Sequence, residues 1–238
     1  ASGITSSGGI ATVADLNNDG FPEVLVGGRN VLVALTFNVG LGTFSELWSV
    51  GSIDNSGRLG CTVFDFEGDG AMEVVYRDDL VLRVLNGATG AVRATTTCPS
   101  SSRMETPVVV DIDNNGQANI VCHCANSVKA FQPLASTWVP ARGIWNQRSY
   151  FVLNVRDNLR IPRQQQGQEL GFPVGLPVNY PFNAFMRQTT RLANNGAIVY
   201  PAANDQLLIL NPVSDINLGP CQDGINDSVG IRLTVRNT

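Results

Sequence analysis

The chain has 238 residues, with 16 basic and 20 acidic side chains, a single histidine and a formal net charge of −4. That length supports one sizeable core, or a core with a further partial domain. Fifteen of the basic residues are arginine, scattered with no basic run and no interleaved aromatics, which argues against a nucleic-acid surface. No apolar stretch approaches the ~20 residues of a membrane span, and no secretory leader is visible, as expected of a mature or internal segment.

In chain order, a β-branched stretch (Ala11–Ala14) leads into Asp15-Leu16-Asn17-Asn18-Asp19-Gly20-Phe21-Pro22-Glu23 and out through Val24-Leu25-Val26. Further strands are predicted at Val31–Phe37 and Phe44–Val50. The grammar then repeats. Cys61–Phe64 precedes Asp65-Phe66-Glu67-Gly68-Asp69-Gly70-Ala71-Met72-Glu73, and Val74-Val75-Tyr76 follows. Strands at Leu80–Leu85 and Ala91–Thr97 flank the turn Asn86-Gly87-Ala88-Thr89-Gly90. A third copy, Asp111-Ile112-Asp113-Asn114-Asn115-Gly116-Gln117-Ala118-Asn119, lies between Val108–Val110 and Ile120–Cys122, with strands expected at Val128–Phe131 and Thr137–Pro140. The leading aspartates, Asp15, Asp65 and Asp111, recur at intervals of 50 and 46 residues. A period of that size marks a propeller or another repeat array. No helix is expected before residue 180.

Each nine-residue loop offers side-chain oxygen at positions one, three, five and nine and a backbone carbonyl at position seven. Calcium takes about 6–8 such oxygens in a forgiving geometry. The candidate ligands are Asp15, Asn17, Asp19, Phe21 and Glu23 in loop one, and Asp65, Glu67, Asp69, Ala71 and Glu73 in loop two. Loop three offers Asp111, Asp113, Asn115, Gln117 and Asn119. Glycine at position six (Gly20, Gly70, Gly116) allows the sharp turn. An EF-hand is excluded, because the loop is shorter than 12 residues and its flanks read as strands. By formal charge loop two, with four acids, and loop one, with three, should bind more tightly than loop three, with two. Glu67 is longer than the Asp or Asn usual at position three and has the reach to lean away. Metal-free Asx-rich turns are the alternative for each loop, most of all for the third.

These loops, each between two strands, resemble the FG-GAP/VCBS repeats of the integrin-α-like β-propeller, over roughly residues 9–140. The resemblance implies four-stranded antiparallel blades with a calcium ion in a hairpin of each. Three blades cannot close a ring, since propellers need about 4–8, so the chain is expected to be a piece of something larger. Residues 138–186, from Trp138-Val139-Pro140 through Trp145-Asn146-Gln147 and Tyr150 to Pro181-Phe182-Asn183, are similar to a segment found after such propellers. The proteins in question are very large secreted surface proteins of Bacteroidetes, of the gliding-motility and type IX secretion kind. Residues 206–238 look like the first strands of an immunoglobulin-like or CARDB-type module, a sandwich that needs about seven strands. The expected fold class is therefore all-β: a partial propeller (1–140), a closing or linking segment (141–200), and the start of an Ig-like module (201–238).

Five cysteines are present, at 61, 98, 122, 124 and 221. Cys122 and Cys124 share a strand face and are poorly placed to bond each other; a bridge from Cys98 to one of them and free buried thiols both remain open. One histidine and no paired CxxC argue against zinc. No nucleophile elbow, HExxH or phosphate loop points to catalysis, and His123, between two strand cysteines, reads as structural. Trp145, Asn146, Gln147 and Tyr150 offer a glycan grip or else pack the exit from the last blade. Asp227-Ser228-Val229 resembles a Bacteroidetes O-glycosylation signal. The expectation is a non-enzymatic, calcium-stabilised module of a secreted cell-surface protein, adhesin-like or gliding-associated, binding or serving as a spacer. Its partners would be other domains of the same protein, surface glycans or secretion-system components. The alternative is a calcium-dependent polysaccharide-active enzyme or lectin of the same fold.

Overall fold

In the computed structural model the described residues are 8–100, 105–133, 138–167, 171–172, 180–181, 183–191, 193 and 197–199. The expected Ig-like start, the boundary at 201–204, Cys221 and the sequon-like triplet at 227–229 lie outside them.

The β-branched stretches form three successive antiparallel sheets. Strands β1 (Thr12–Ala14), β2 (Glu23–Gly28), β3 (Val31–Asn38) and β4 (Thr43–Gly51) make the first, in that spatial order. Strands β5 (Cys61–Phe64), β6 (Glu73–Arg77), β7 (Val81–Asn86) and β8 (Val92–Thr97) make the second. Strands β9 (Val108–Val110), β10 (Asn119–Cys124) and β11 (Ser127–Phe131) make the third. A two-residue pairing joins β12 (Gly171–Phe172) to β13 (Tyr180–Pro181). The one helical element among the described residues is a 3-10 turn at Val152–Asn154.

The third sheet departs from expectation. Thr137 is outside the described residues, and residues 138–140 add no fourth strand. Instead the Val139 amide donates to the Phe66 carbonyl at 2.9 Å, and its carbonyl accepts from Ala118 at 3.0 Å. The chain therefore crosses back over loop two. Pro140, which has no N–H to offer a ladder, follows at once.

The sheets stack face to face because their side chains alternate with the pleat. In β5 and β6, Cys61, Val63, Val74 and Tyr76 face the first sheet and pack with Leu16, Leu25 and Leu32. Phe64 and Val75 face the third, packing with Val109, Ile120 and Cys122. Every residue of β5 and β6 is accordingly buried. Trp48 of β4 locks the first interface, its indole N–H donating to the Gly87 carbonyl at 2.6 Å. Gly90 in the same turn has φ +71, and a Cβ there would lie 2.7 Å from the indole, so both conformation and space require glycine. A Cys98–Cys124 disulfide joins the end of β8 to the end of β10 across a separation of 26 residues. A loop of that size is worth about 3–4 kcal/mol in the chain-entropy picture. Cys61 and Cys122 are free and buried.

Strand β5 lies beside β1 on one side and β9 on the other, so the first strands of the sheets form an inner row. Residues 185–190 run across that row as a strap. Phe185 exchanges backbone hydrogen bonds with Val13 (2.8 and 2.9 Å), and the Gln188 amide donates to Val63 at 2.9 Å. The Gln188 side chain, 1% exposed, donates to the carbonyls of Val109 (2.8 Å) and Arg142 (3.0 Å) and accepts from the Tyr150 hydroxyl (3.0 Å). One buried amide thus ties the strap to the third sheet and to the segment after it.

Truncating that amide takes a donor from buried carbonyls and the acceptor from the Tyr150 O–H, each loss costing about 1–3 kcal/mol. Gln188→Ala should lower unfolding stability in a urea titration by about 2–4 kcal/mol. Asn146→Ala, on the exposed surface, should stay within about 0.5 kcal/mol. Equal effects would remove the strap from its structural role.

Candidate functional site

Each nine-residue loop joins the first two strands of its sheet in one register. Ala14 pairs with Glu23, Phe64 with Glu73, and Val110 with Asn119, so position nine always begins the returning strand. The position-one aspartate accepts the position-six amide: Gly20 to Asp15 (2.9 Å), Gly70 to Asp65 (2.8 Å) and Gly116 to Asp111 (3.1 Å). It also accepts the position-five amide in every copy. The position-five side chain accepts the position-seven amide, at 2.8 Å in loop one, 2.9 Å in loop two and 2.8 Å in loop three. The position-nine side chain reaches back to the position-two amide: Leu16 to Glu23 (2.8 Å), Phe66 to Glu73 (3.1 Å) and Ile112 to Asn119 (3.0 Å). Positions four and six are left-handed throughout: Asn18 and Gly20, Gly68 and Gly70, Asn114 and Gly116. Gly68 is further constrained by Val139, which a Cβ would meet at 2.7 Å.

This frame sets the side-chain oxygens of positions one, five and nine against backbone amides of the same loop, with position nine buried and position five exposed. Glu23, Glu73 and Asn119 are at most 3% exposed. Burial pushes the Glu23 carboxyl above its ordinary range, and the charges of Asp19 and Asp15 add to the shift. Burial likewise raises Asp65, with repulsion from Asp69, and Asp111, with repulsion from Asp113. Glu73 is pushed up to about 8 by burial, with the neighbouring Glu67 charge adding to it. The loops therefore hold carboxylates in a setting that opposes their ionisation, a setting that a cation would reverse.

The three loops differ in how that charge is met. In loop one the Asn17 amide donates to Asp19 (3.0 Å) and Glu23 (3.4 Å), and among the described residues no basic side chain is ion-paired to the loop's acids. In loop two Arg93 bonds Glu67 (2.9 Å) and also Glu73. Sequence reasoning missed Arg93, which lies far along the chain in β8. Its signal is a bulge: β7–β8 pairing slips at Val84/Leu85, leaving Arg93 as the extra residue, and bulges re-aim side chains. The first sheet slips at the equivalent place, Ala34/Leu35, but there the extra residue is Leu47, which packs into the core. Counting Arg93, loop two holds the same net charge as loop one. Loop three keeps two acids, with Asn115 donating to Asp113 at 2.9 Å. All donors offered are hard oxygens, which suit a divalent cation of the calcium type rather than a thiophilic metal. Phe21, Ala71 and Gln117 supply position seven, whose amides serve the frame as described.

The other sequence candidates are placed differently. Tyr150 is fully buried, stacks on Trp145 at 4.4 Å, and donates through its hydroxyl to Gln188 while accepting from Arg142. Tyr150 therefore packs the exit from the third sheet, whereas Trp145 is half-buried and lines an open hollow with Asn146 and Gln147. The His123 Nδ1 lies 3.4 Å from Glu105, which also pairs with the buried Arg77.

A family model described as an FG-GAP-like repeat matches residues 6–76, which include loops one and two. The chain is similar in structure to the V. cholerae biofilm matrix protein Bap1, at TM-score 0.57 and 24% sequence identity. That match covers 76% of this chain and 28% of the other, so the chain spans less than a third of that protein. At this identity the likeness concerns the fold. No curated protein matches the chain.

An acid whose pKa is raised by folding leaves the folded state holding extra protons, so stability is lost as pH climbs from the unfolded to the folded value. For Glu73 that window runs from 4.5 to about 8. In chelator the melting temperature should fall between pH 5 and pH 8, and Glu73→Gln should flatten the fall. A flat or rising profile in the wild-type chain would contradict the burial-raised Glu73 carboxyl.

Proposed function

We propose that this chain is a calcium-stabilised structural and adhesive module of an extracellular protein, its three sheets serving as blades of a propeller-like array. One observation carries the reading: three loops share one hydrogen-bond frame, and each gathers acidic and amide oxygens at the mouth of a hairpin. Calcium bound by Asp15, Asn17, Asp19 and Glu23, with the Phe21 carbonyl, would replace amide-to-carboxylate contacts with ionic ones and pin β1 to β2. In loop two the ion competes with Arg93 for Glu67 and Glu73. Loop one is therefore the strongest site, loop two follows, and loop three, with two acids, is the weakest. Extracellular modules bind calcium at about 10⁻⁴–10⁻³ M, which keeps them folded outside cells.

The Cys98–Cys124 disulfide suits an oxidising compartment. No helix among the described residues is long and apolar enough to cross a membrane. The likeness in fold to a biofilm matrix protein is compatible with a matrix or surface role. A gliding-associated, type IX-secreted origin belongs to the same proposal and rests on the resemblance of residues 138–186.

The test is melting temperature in calcium and in EDTA. At the affinities of extracellular modules, millimolar calcium is about 1–10 times its Kd and stabilises by about 0.4–1.4 kcal/mol. Asp15→Ala should therefore lower the melting temperature more in millimolar calcium than in EDTA, where it loses only the Asp19 and Gly20 amides that it accepts. Arg93→Ala should increase the stabilisation that calcium gives. Equal losses for Asp15→Ala in both conditions would sink the calcium reading.

A further inference from the structure

Charge is unevenly divided along this chain. Residues 1–140 hold fourteen acids against seven basic residues, whereas residues 141–200 hold seven arginines against two acids, Asp157 and Glu169. The structure gathers part of that excess. Between the strap and the segment 152–166 lies an open trough of about 690 Å³, within the range of ligand sites. Arg142, Arg156, Arg160 and Arg163 line it, and among its lining residues the one carboxylate is Asp157.

These arginines have different duties. Arg142 is buried and fully engaged: it donates to Asp157 at 2.6 Å, to the Tyr150 hydroxyl at 2.9 Å, and to the carbonyls of Val152 (3.2 Å) and Val155. It thereby consumes the lone carboxylate and fixes the backbone beneath the trough. The loop above is closed by Leu159 donating to the Arg156 carbonyl (2.8 Å) and Arg156 to the Arg160 carbonyl (3.0 Å). Arg156, Arg160 and Arg163 are exposed, and none is ion-paired to a carboxylate among the described residues. Glutamines 164–166 continue the wall, and Gln165 is held by Asn154 at 2.7 Å.

We infer that this trough binds an anionic polysaccharide that carries carboxylates on its sugar rings. Three guanidinium forks, with no ion pair among the described residues, match carboxylates bidentately. The glutamine amides donate and accept, as ring hydroxyls require. Leu153, Val155, Ile161 and Pro162 supply apolar surface for sugar faces. Single-stranded nucleic acid fits less well, because base stacking needs aromatic platforms and no aromatic residue lines the trough. The inference deepens the adhesive part of the proposed function and is independent of its calcium part.

The probe is hyaluronate, a soluble polyuronate, titrated into the full chain in calcium-containing buffer, with neutral dextran, dextran sulfate and oligo-dT as comparisons. Binding should be specific to hyaluronate and weaken with salt. Losing two charge-assisted contacts in Arg160→Gln/Arg163→Gln should reduce affinity by about tenfold or more. Arg156→Gln gives a second reading of the same site. The control pair Arg29→Gln/Arg58→Gln removes the same charge from exposed positions elsewhere and should leave affinity unchanged. Absence of hyaluronate binding, an equal loss in the control pair, or preference for dextran, dextran sulfate or oligo-dT would overturn the inference. If melting in calcium and EDTA still differs, such a result counts against the trough alone and leaves the calcium reading standing.

Discussion

The architecture depends on the side chain at the ninth loop position. Glu23, Glu73 and Asn119 each open a returning strand, sit almost wholly buried, and accept the amide of the second loop residue. That one contact closes the loop, sets the register of the first hairpin and fixes where the other oxygens point. A glutamate there carries a cost, since an ionised carboxylate taken out of water needs a partner. The second sheet meets part of it with Arg93, delivered by a bulge. The first sheet places Leu47 at the same bulge and leaves Glu23 with the hydroxyl of Thr36, the Leu16 amide and the acids around it. The second sheet thus carries an internal cation at the one position where the first sheet carries a leucine.

The sheets become one body through contacts at both edges of the stack. Toward the inside, the strap at 185–190 bonds to β1 and β5 through its backbone and to β9 through Gln188. Toward the outside, Trp48 docks on the Asn86–Gly90 turn and the disulfide ties β8 to β10. The inner strands of the second sheet, β5 and β6, are covered on both faces and buried throughout, whereas its outer strand β8 is exposed. A calcium ion in loop one or loop two would stiffen hairpins whose inner strands already carry the strap.

Much of this was legible in the sequence. Period-two alternation placed the strands within a residue or two, and the loop spacing showed that the copies were structural equivalents. Glycine at position six and Gly or Asn at position four match the left-handed conformations found there. Other features were illegible because their partners are remote in sequence. Arg93 acts on Glu73 only because of the slip at Val84/Leu85. The strap joins Gln188 to Val109 across 79 residues. Tyr150 read either as a surface aromatic or as packing the exit from the last blade, and Arg142 and Gln188, remote in sequence, draw its hydroxyl inward. Residues 138–140 read as a fourth strand, but the pull of Phe66 and Ala118 on Val139 takes that segment across loop two.

The central claim is that an external cation neutralises loop one where an arginine serves loop two. Anomalous scattering from crystals grown in calcium tests this most directly. A calcium peak within ligand distance of Asp15, Asn17, Asp19 and Glu23, stronger than any peak in loop three, is the predicted result. A well-ordered loop one with no peak, and Asn17 still donating to Asp19 and Glu23, would contradict it.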